Sequence, residues 1–233
     1  MEGIYVLIPA RSGSKSLPHK NIKDYFGYPL LVHSIFHAQN CKYIKKENIY
    51  VSTDSYEYGE IALKYDAKVI KRPEEISGDL STDLEVFQHF LGEIGERVEI
   101  MVHLRPTYPN RRDGLLEDCI EVYLRKRKEG YESLRTVVEC EIVPYKMYHM
   151  EGEELKPIFE EYKGKKEPYN LCRQIFPKAF LHNGCIDIVD GDVVEGGSMT
   201  GRKIYAYKME VEDGEDIDTE GDFERAKERW NKK

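Results

Sequence analysis

No apolar run in this chain approaches the roughly 20 residues that a helix needs to cross a bilayer, so no membrane span is expected. There is no positive excess either. Against 43 Asp and Glu stand 35 Lys and Arg, a net charge of −8 over 233 residues. That balance argues against general nucleic-acid binding. The 5 cysteines (Cys41, Cys119, Cys140, Cys172 and Cys185) are scattered and form no C-x-x-C pair. A zinc site is therefore not expected, and each thiol reads as reduced, buried and inert. His33, His37, His89, His103, His149 and His182 show no metal-ligand spacing and read as surface or core residues. Met1-Glu2-Gly3 runs straight into a strand with no secretory leader, so a cytoplasmic protein is expected. Two phosphate-binding fingerprints are also missing. No glycine stands five residues before a Gly-Lys pair, and there is no G-x-G-x-x-G. Nor is there an internal repeat or a low-complexity tract.

What is present begins at Ile4. Ile4 to Ile8 is an aliphatic run that reads as a strand buried on both faces. It breaks into Pro9-Ala10-Arg11-Ser12-Gly13-Ser14-Lys15-Ser16-Leu17-Pro18-His19-Lys20-Asn21. Gly13 and its flanking serines allow backbone N–H groups to approach an anion. Arg11, Lys15 and Lys20 supply cations that stand out on an acidic chain. Pro18 stiffens the loop. A strand feeding such a loop is how α/β proteins hold phosphate groups. A solvated basic turn is the plainer reading of the same residues.

The rest alternates. A helix carries Leu30, Leu31, Ser34, Ile35 and Ala38. A strand from Asn48 to Ser52 ends in Thr53-Asp54-Ser55, which caps a helix to about Tyr65. Ala67 to Ile70 is a strand closed by Arg72-Pro73. Thr82 with Glu85 has capping-box spacing before a helix whose inner face is Val86, Phe87, Phe90, Leu91 and Ile94. Val98 to Leu104 is a strand, Arg105 to Arg111 a loop, Leu115 to Lys128 a helix and Ser133 to Val138 a strand. Gly184 to Val189 and Lys203 to Met209 are further strands. Thr219 with Asp222 suggests a cap for a last helix carrying Phe223, Ala226 and Trp230. This alternation predicts an α/β fold with a mainly parallel twisted sheet. Residues 144–180 interrupt the rhythm and read as an inserted arm within a single domain, 1–233.

Asp216-Ile217-Asp218 carries the second half of the chemistry. In an extended segment both carboxylates face one side while Ile217 packs inward. Two hard oxygen donors on one face suit Mg²⁺, or they complement the dipole of the helix that follows. Glu212, Asp213 and Glu215 read as solvated surface charges.

Ile8 to Ile22, Val51-Ser52-Thr53-Asp54, Arg105-Pro106-Thr107 through Arg111, and Asp216 to Thr219 together resemble the CMP-sialic acid synthetase (acylneuraminate cytidylyltransferase) family. The resemblance implies the three-layer nucleotide-diphosphosugar transferase fold, CTP and Mg²⁺ as co-substrate and cofactor, and a homodimer built on the arm. It also implies transfer of CMP to a nonulosonic acid. The alternatives are another sugar acid (legionaminic, pseudaminic or Kdo-type), an amino sugar phosphate with GTP, and a non-catalytic sugar-nucleotide sensor, against which the intact Asp216, Asp218 and loop cations argue. Arg11, Lys20 and Asp218 would be catalytic. Ala10, Arg11, Ser12, Gly13, Ser14, Lys15, Lys20, Asn21, Arg72 and Ser81 would hold the nucleotide. Arg105, Thr107, Lys146, Arg173, Gln174 and Asn183 would hold the sugar, Lys146 and Arg173 coming from the partner subunit. Asp216 and Asp218 would hold the metal. Asn21 also reads as a helix cap, and Arg72 as a surface arginine. Four positions depart from the family pattern, among them Tyr108 and Asn110, which replace smaller or apolar residues. Arg105 stands where glutamine is usual, and could meet a sugar carboxylate or pair with a nearby acid. Asp187 stands where an aromatic is common. The reading requires the amino-terminal loop and the Asp216–Asp218 pair to converge, without the protein's own acids filling the loop.

Overall fold

Strand β1 (Ile4–Pro9) is the expected buried run, with Val6, Leu7 and Ile8 fully enclosed. The computed structural model describes residues 3–210 and 216–230. Glu212, Asp213 and Glu215 lie outside the described residues. β1 is central because it has parallel neighbours on both sides: β4 (Ile49–Thr53), with Val6 opposite Ile49, and β6 (Ile100–His103), with Ile4 opposite Ile100. A strand so placed has no solvent face, which explains a continuous rather than alternating apolar pattern.

The full sheet has seven strands in the order β13-β7-β12-β6-β1-β4-β5. It adds β5 (Lys68–Lys71), β7 (Ser133–Cys140), β12 (Ala179–Asp190) and β13 (Ile204–Met209). All pairings are parallel except those of β12, which runs antiparallel to both β6 and β7. One face packs on α1 (Leu30–Gln39), α2 (Tyr56–Lys64) and α4 (Leu115–Arg127), through Leu31, Ile35, Ala62, Ile120 and Tyr123. The other packs on α3 (Asp83–Ile94) and the short α5 (Gly191–Glu195), through Tyr5, Leu7, Phe87, Phe90 and Val194. These are the three expected layers. Helix α6 (Glu220–Trp230) joins a third cluster in which Phe223, Ala226 and Ile217 pack on Leu17, Tyr25 and Leu30. That cluster binds the end of the chain to the first loop. Trp230 remains 41% exposed, so only Phe223 and Ala226 of the expected face are buried.

The caps form as the spacing predicts. Thr82 and Glu85 make the reciprocal capping box of α3, and Ser55 accepts from the Tyr58 amide at α2. Thr219 and Asp222 bond each other's backbone amides ahead of α6.

β12 is longer than the expected Gly184–Val189, because a bulge between His182 and Asp187 interrupts its alternation. Gly184 makes that bulge with φ 73°, and a Cβ there would sit 2.9 Å from the Arg105 guanidinium. The segment read as an arm is not structureless. Hairpins β8 (Tyr148–Glu151) with β9 (Glu154–Pro157), and β10 (Glu161–Tyr162) with β11 (Lys165–Lys166), stand outside the main sheet. A further hairpin, β2 (Asp24–Tyr25) with β3 (Tyr28–Pro29), leads into α1. The last two residues of 144–180 open β12 instead. Cys41, Cys119 and Cys185 are buried as expected, but Cys140 is half-buried and Cys172 exposed.

Candidate active site

A cleft of about 330 Å³ opens at the carboxyl ends of β1, β5 and β6. This is where open α/β sheets bind ligands. Its walls are Pro9 and Arg11 after β1, Lys20 and Asn21 from the loop, and Arg72 after β5. Gly78, Ser81, Thr82, Asp83 and Val86 come from the start of α3, and His103, Arg105, Pro106 and Thr107 from the end of β6. Asp216 and Asp218 complete it.

The required convergence is present. Lys20 Nζ donates to the Ile217 carbonyl at 3.0 Å and to Asp218 Oδ1 at 2.7 Å, across 198 residues of sequence. Ile217 is fully buried between its two aspartates, and its amide donates to the Thr107 carbonyl at 3.0 Å. The alternation of Asp-Ile-Asp thus turns both carboxylates toward the cleft. Burial pushes the Asp216 carboxyl above the ordinary carboxylate range. A hydrogen bond with Thr107 works against that shift, and the Asp218 charge adds to it. A carboxylate raised by lost hydration and a like charge has an evident use for a cation. Among the described residues no three Asp, Glu, His or Cys gather into a metal cage. Mg²⁺ needs none, since it keeps waters and takes phosphate oxygens beside one or two carboxylates. The pair therefore fits Mg²⁺.

The second requirement meets a qualification. Asp79 occupies the loop: Arg11 donates to its Oδ1 at 2.9 Å and Lys15 forms an ion pair with its other oxygen. The two cations hold the Asp79 carboxyl below its usual range. Asp79 is 38% exposed, so its links to the loop are of the weak, displaceable kind. An incoming triphosphate carries more charge than one carboxylate. Asp79→Asn should therefore tighten nucleotide binding by about two- to fivefold, the worth of an exposed pair, in a CTP titration. Weaker binding would show that Asp79 organises the loop rather than occupying it.

Other loop groups serve the loop itself. The Ser12 amide and hydroxyl both donate to Asp54, at 2.8 and 2.7 Å. The Ser14 amide turns back to the Ser12 carbonyl at 3.0 Å, and the Ala10 amide bonds the Ser52 carbonyl at 2.9 Å. Ala10, Ser12, Gly13, Ser14 and Lys15 do not line the cleft, so the loop's share of its positive charge comes from Arg11 and Lys20, beside Arg72 and Arg105 from other elements. Asn21 is buried and donates to the Arg11 carbonyl at 3.0 Å, which holds Arg11 in place. It is not a helix cap. Arg72 is not a surface residue: it is 5% exposed and donates to the Ser52 hydroxyl and carbonyl. Burial lowers its pKa to about 10.

Ser81 and Thr107 line the cleft, but Lys146, Arg173, Gln174 and Asn183 do not. Lys146 donates to the Tyr169 carbonyl within the arm. Asn183 is committed to the β12 bulge, accepting from Thr136 at 2.7 Å and from the Tyr108 hydroxyl. Arg105 makes the pairing with acids that its chemistry left open. Nη2 donates to Asp83 and Nη1 to Asp187, both at 2.8 Å. Asp79 and Asp83 have no role in the sequence reading, Asp54 and Arg111 enter it only within a cap and family-like stretches, and His103, read as a surface or core histidine, is a core one. For Asp83 the available signal was its position beside the Thr82 cap, at the carboxyl ends of the strands.

His103 is 1% exposed beneath the cleft, its ring 4.9 Å from that of Phe87. Burial lowers its pKa from 6.5 to about 4, with Arg105 adding to the effect and Asp83 and Asp187 opposing it. The unfolded chain then binds the proton more readily, so stability is full above pH 6.5 and is lost as pH falls toward 4. The loss from this group at pH 4 is on the order of 3 kcal/mol. Urea unfolding at stepped pH should show it, and His103→Gln should flatten that part of the profile.

Comparison with known proteins bears on the family and the fold. A family profile described as Cytidylyltransferase matches residues 5–144. An N-acylneuraminate cytidylyltransferase of Streptococcus agalactiae is 31% identical over 93% of the chain and 51% of its own length. N-acylneuraminate cytidylyltransferase A of Danio rerio is 31% identical over 97% and 50% respectively. The chain thus spans about half the length of the curated relatives it matches. Among solved structures, a CMP:2-keto-3-deoxy-manno-octonic acid synthetase complexed with CTP shares the fold. Its TM-score is 0.70 at 15% identity over 99% of both chains. A 4-diphosphocytidyl-2C-methyl-D-erythritol synthase of Anaerococcus prevotii follows with a TM-score of 0.61 at 12% identity, over 98% of each chain. With the profile covering more than half of its 233 residues, and the nucleotidyltransferase sheet beneath it, this chain belongs to the cytidylyltransferase family.

Proposed function

We propose that the protein activates a sialic-type nonulosonic acid with CTP, giving the CMP-sugar and pyrophosphate. The convergence of Lys20 with the Asp216–Asp218 pair in one cleft carries the reading. Relatives named N-acylneuraminate cytidylyltransferase, matched over 93% or more of this chain, support the choice of substrates.

In this reading the anomeric hydroxyl of the sugar acid attacks the α-phosphorus of CTP. The new P–O bond forms as the bond to the β-phosphate oxygen breaks, pyrophosphate leaves, and the hydroxyl proton passes to solvent. Such chemistry depends on positioning and charge neutralisation. Arg11 and Lys20 turn from Asp79 and Asp218 to the triphosphate, with Lys15 at the mouth. Asn21 keeps Arg11 in line through its carbonyl. Ala10, Ser12, Gly13 and Ser14 set the loop's path. Buried Arg72 and Ser81 shape the end of the cleft for the cytidine. Asp216 and Asp218 would hold Mg²⁺, which when bound neutralises phosphate oxygens. Thr107 fixes the pair from the side.

Lys146, Arg173 and Gln174 reach the sugar from a second copy of the chain, since within one chain they stay outside the cleft. The arm exposes Met147, Met150, Leu155, Ile158 and Phe159, with Ile142 just before it. That many exposed apolar side chains on a hairpin segment suit a homodimer interface. No helix among the described residues is long and apolar enough to cross a membrane. CTP as co-substrate supports a cytoplasmic reaction.

The test is turnover. Protein, Mg²⁺ and either CTP or GTP are incubated with nonulosonic acids, an octonic acid and sugar 1-phosphates. Pyrophosphate release only with CTP and a nonulosonic acid is expected. Preference for GTP with a sugar phosphate would overturn the reading. Sedimentation equilibrium should give a dimer, and a fully active monomer would remove the arm's role.

A further inference from the structure

Two of the positions at which the chain departs from its family pattern, Arg105 and Asp187, touch each other. Arg105 Nη1 donates to Asp187 Oδ2 at 2.8 Å and to the Gly184 carbonyl at 2.9 Å, while Nη2 donates to Asp83 Oδ2 at 2.8 Å. Three of its five N–H groups are therefore spent within the protein. Two carboxylates on one guanidinium leave a net single negative charge on this wall. His103 does not offset it, because burial keeps its ring neutral near pH 7 and its Nδ1 lies 3.9 Å from both carboxylates. Asp187 is enclosed at 6% side-chain exposure and is held further by His182 at 2.7 Å. Asp83 is 45% exposed, lines the cleft and opens α3, where the helix dipole favours its charge. Burial opposes its ionisation, but the carboxyl is held below the usual range, with the Arg105 guanidinium favouring its charge and bonding it directly.

We propose that Asp83 determines acceptor specificity: its carboxylate accepts a hydrogen bond from a donor, an ammonium or hydroxyl group, on the sugar, and repels an anion placed there. The proposal rests on the acceptor binding in this cleft, as in the function proposed above. Arg105 is then a positioning residue that fixes Asp83 against β12. The sugar's own carboxylate must be met elsewhere, by cations such as those of the partner's arm. A charged hydrogen bond of this kind is worth at least about tenfold in affinity.

Simple monosaccharides differing in one substituent supply the probe. Binding of glucosamine, glucose and glucuronate is measured by ligand-observed NMR on the CTP-loaded protein. Wild type should prefer glucosamine to glucose and glucose to glucuronate, with about tenfold between the extremes. Asp83→Asn should collapse that order, and Asp83→Glu, which keeps the charge, should retain it. Raising the pH to deprotonate the amine should erase glucosamine's advantage on wild type, a check that needs no variant. An order that survives in Asp83→Asn, or three sugars indistinguishable on wild type, overturns the proposal. A CTP titration and a pyrophosphate assay on the same samples separate the two readings. A protein that turns over a nonulosonic acid but shows no sugar order loses only the role of Asp83. One that shows the order but releases no pyrophosphate from CTP with any nonulosonic acid loses only the proposed function.

Discussion

Asp218→Ala should lower kcat for pyrophosphate release by about a hundred- to a thousandfold while leaving CTP affinity unchanged or tighter. The two directions come from one contact. Asp218 is proposed as a metal ligand, and charge neutralisation at a phosphoryl centre is worth several kcal/mol. At about 1.4 kcal/mol per factor of ten, partial loss of that term gives the stated range. Yet Asp218 also holds Lys20 Nζ at 2.7 Å, and Lys20 is 13% exposed, close beneath it. Alanine frees the lysine for the triphosphate. A side chain needed only for nucleotide binding would raise Kd for CTP and spare kcat. A side chain that merely complements the α6 dipole would lower stability by a fraction of a kcal/mol and leave both unchanged. Stopped assays with saturating CTP, together with a CTP titration, separate the three. Turnover within a few-fold of wild type would remove Asp218 from the metal site.

The parts of this molecule legible in the sequence are those fixed by neighbours in the chain. Ile4 to Ile8 could only be a central strand because no polar residue alternates with the apolar ones. The Thr82–Glu85 box and the Asp-Ile-Asp alternation lie within four residues, so their geometry follows from backbone periodicity alone. What escaped was set by contacts across the fold. Nothing near Arg105 in sequence foretells Asp83 and Asp187, which reach it from α3 and from a bulged strand. The bulge itself depends on Gly184 giving way to that guanidinium. Arg72 reads as a surface arginine, because only the parallel pairing of β5 with β4 brings it against Ser52. Asp79 sits in a polar loop without periodicity, and its partners Arg11 and Lys15 come from the loop after β1, Arg11 standing 68 residues earlier in the chain. Long-range charge pairing carries no local pattern, and in this cleft it decides which groups remain for a ligand.

The largest effect on stability is expected at Arg111, which is 1% exposed and faces no carboxylate within hydrogen-bonding reach among the described residues. All five of its N–H groups donate to neutral acceptors. Nε and Nη2 meet the Cys185 carbonyl at 3.0 and 2.9 Å, and Nη2 also meets the Arg105 carbonyl at 2.8 Å. Nη1 meets the Tyr108 carbonyl at 2.6 Å and the Ser34 hydroxyl at 3.1 Å. One side chain thus satisfies the turn that carries Arg105 and Thr107 into the cleft and ties it to β12 and α1. Burial lowers its pKa, but a guanidinium remains charged where a lysine would not. Arg111→Met fills similar space yet takes donors from four buried acceptors, of which the Arg105 carbonyl and the Ser34 hydroxyl still hold each other at 3.1 Å; a buried acceptor left unmet costs about 1–3 kcal/mol unless water reaches it. Relaxation will recover part of that, so a net loss of about 3–5 kcal/mol is expected in urea unfolding, a large share of the 5–15 kcal/mol typical of a domain. Arg111→Lys, with three donors on one nitrogen, should recover less than half of it. A loss below about 1 kcal/mol for Arg111→Met would mean that the turn holds its shape without the guanidinium, and that its carbonyls find solvent on their own.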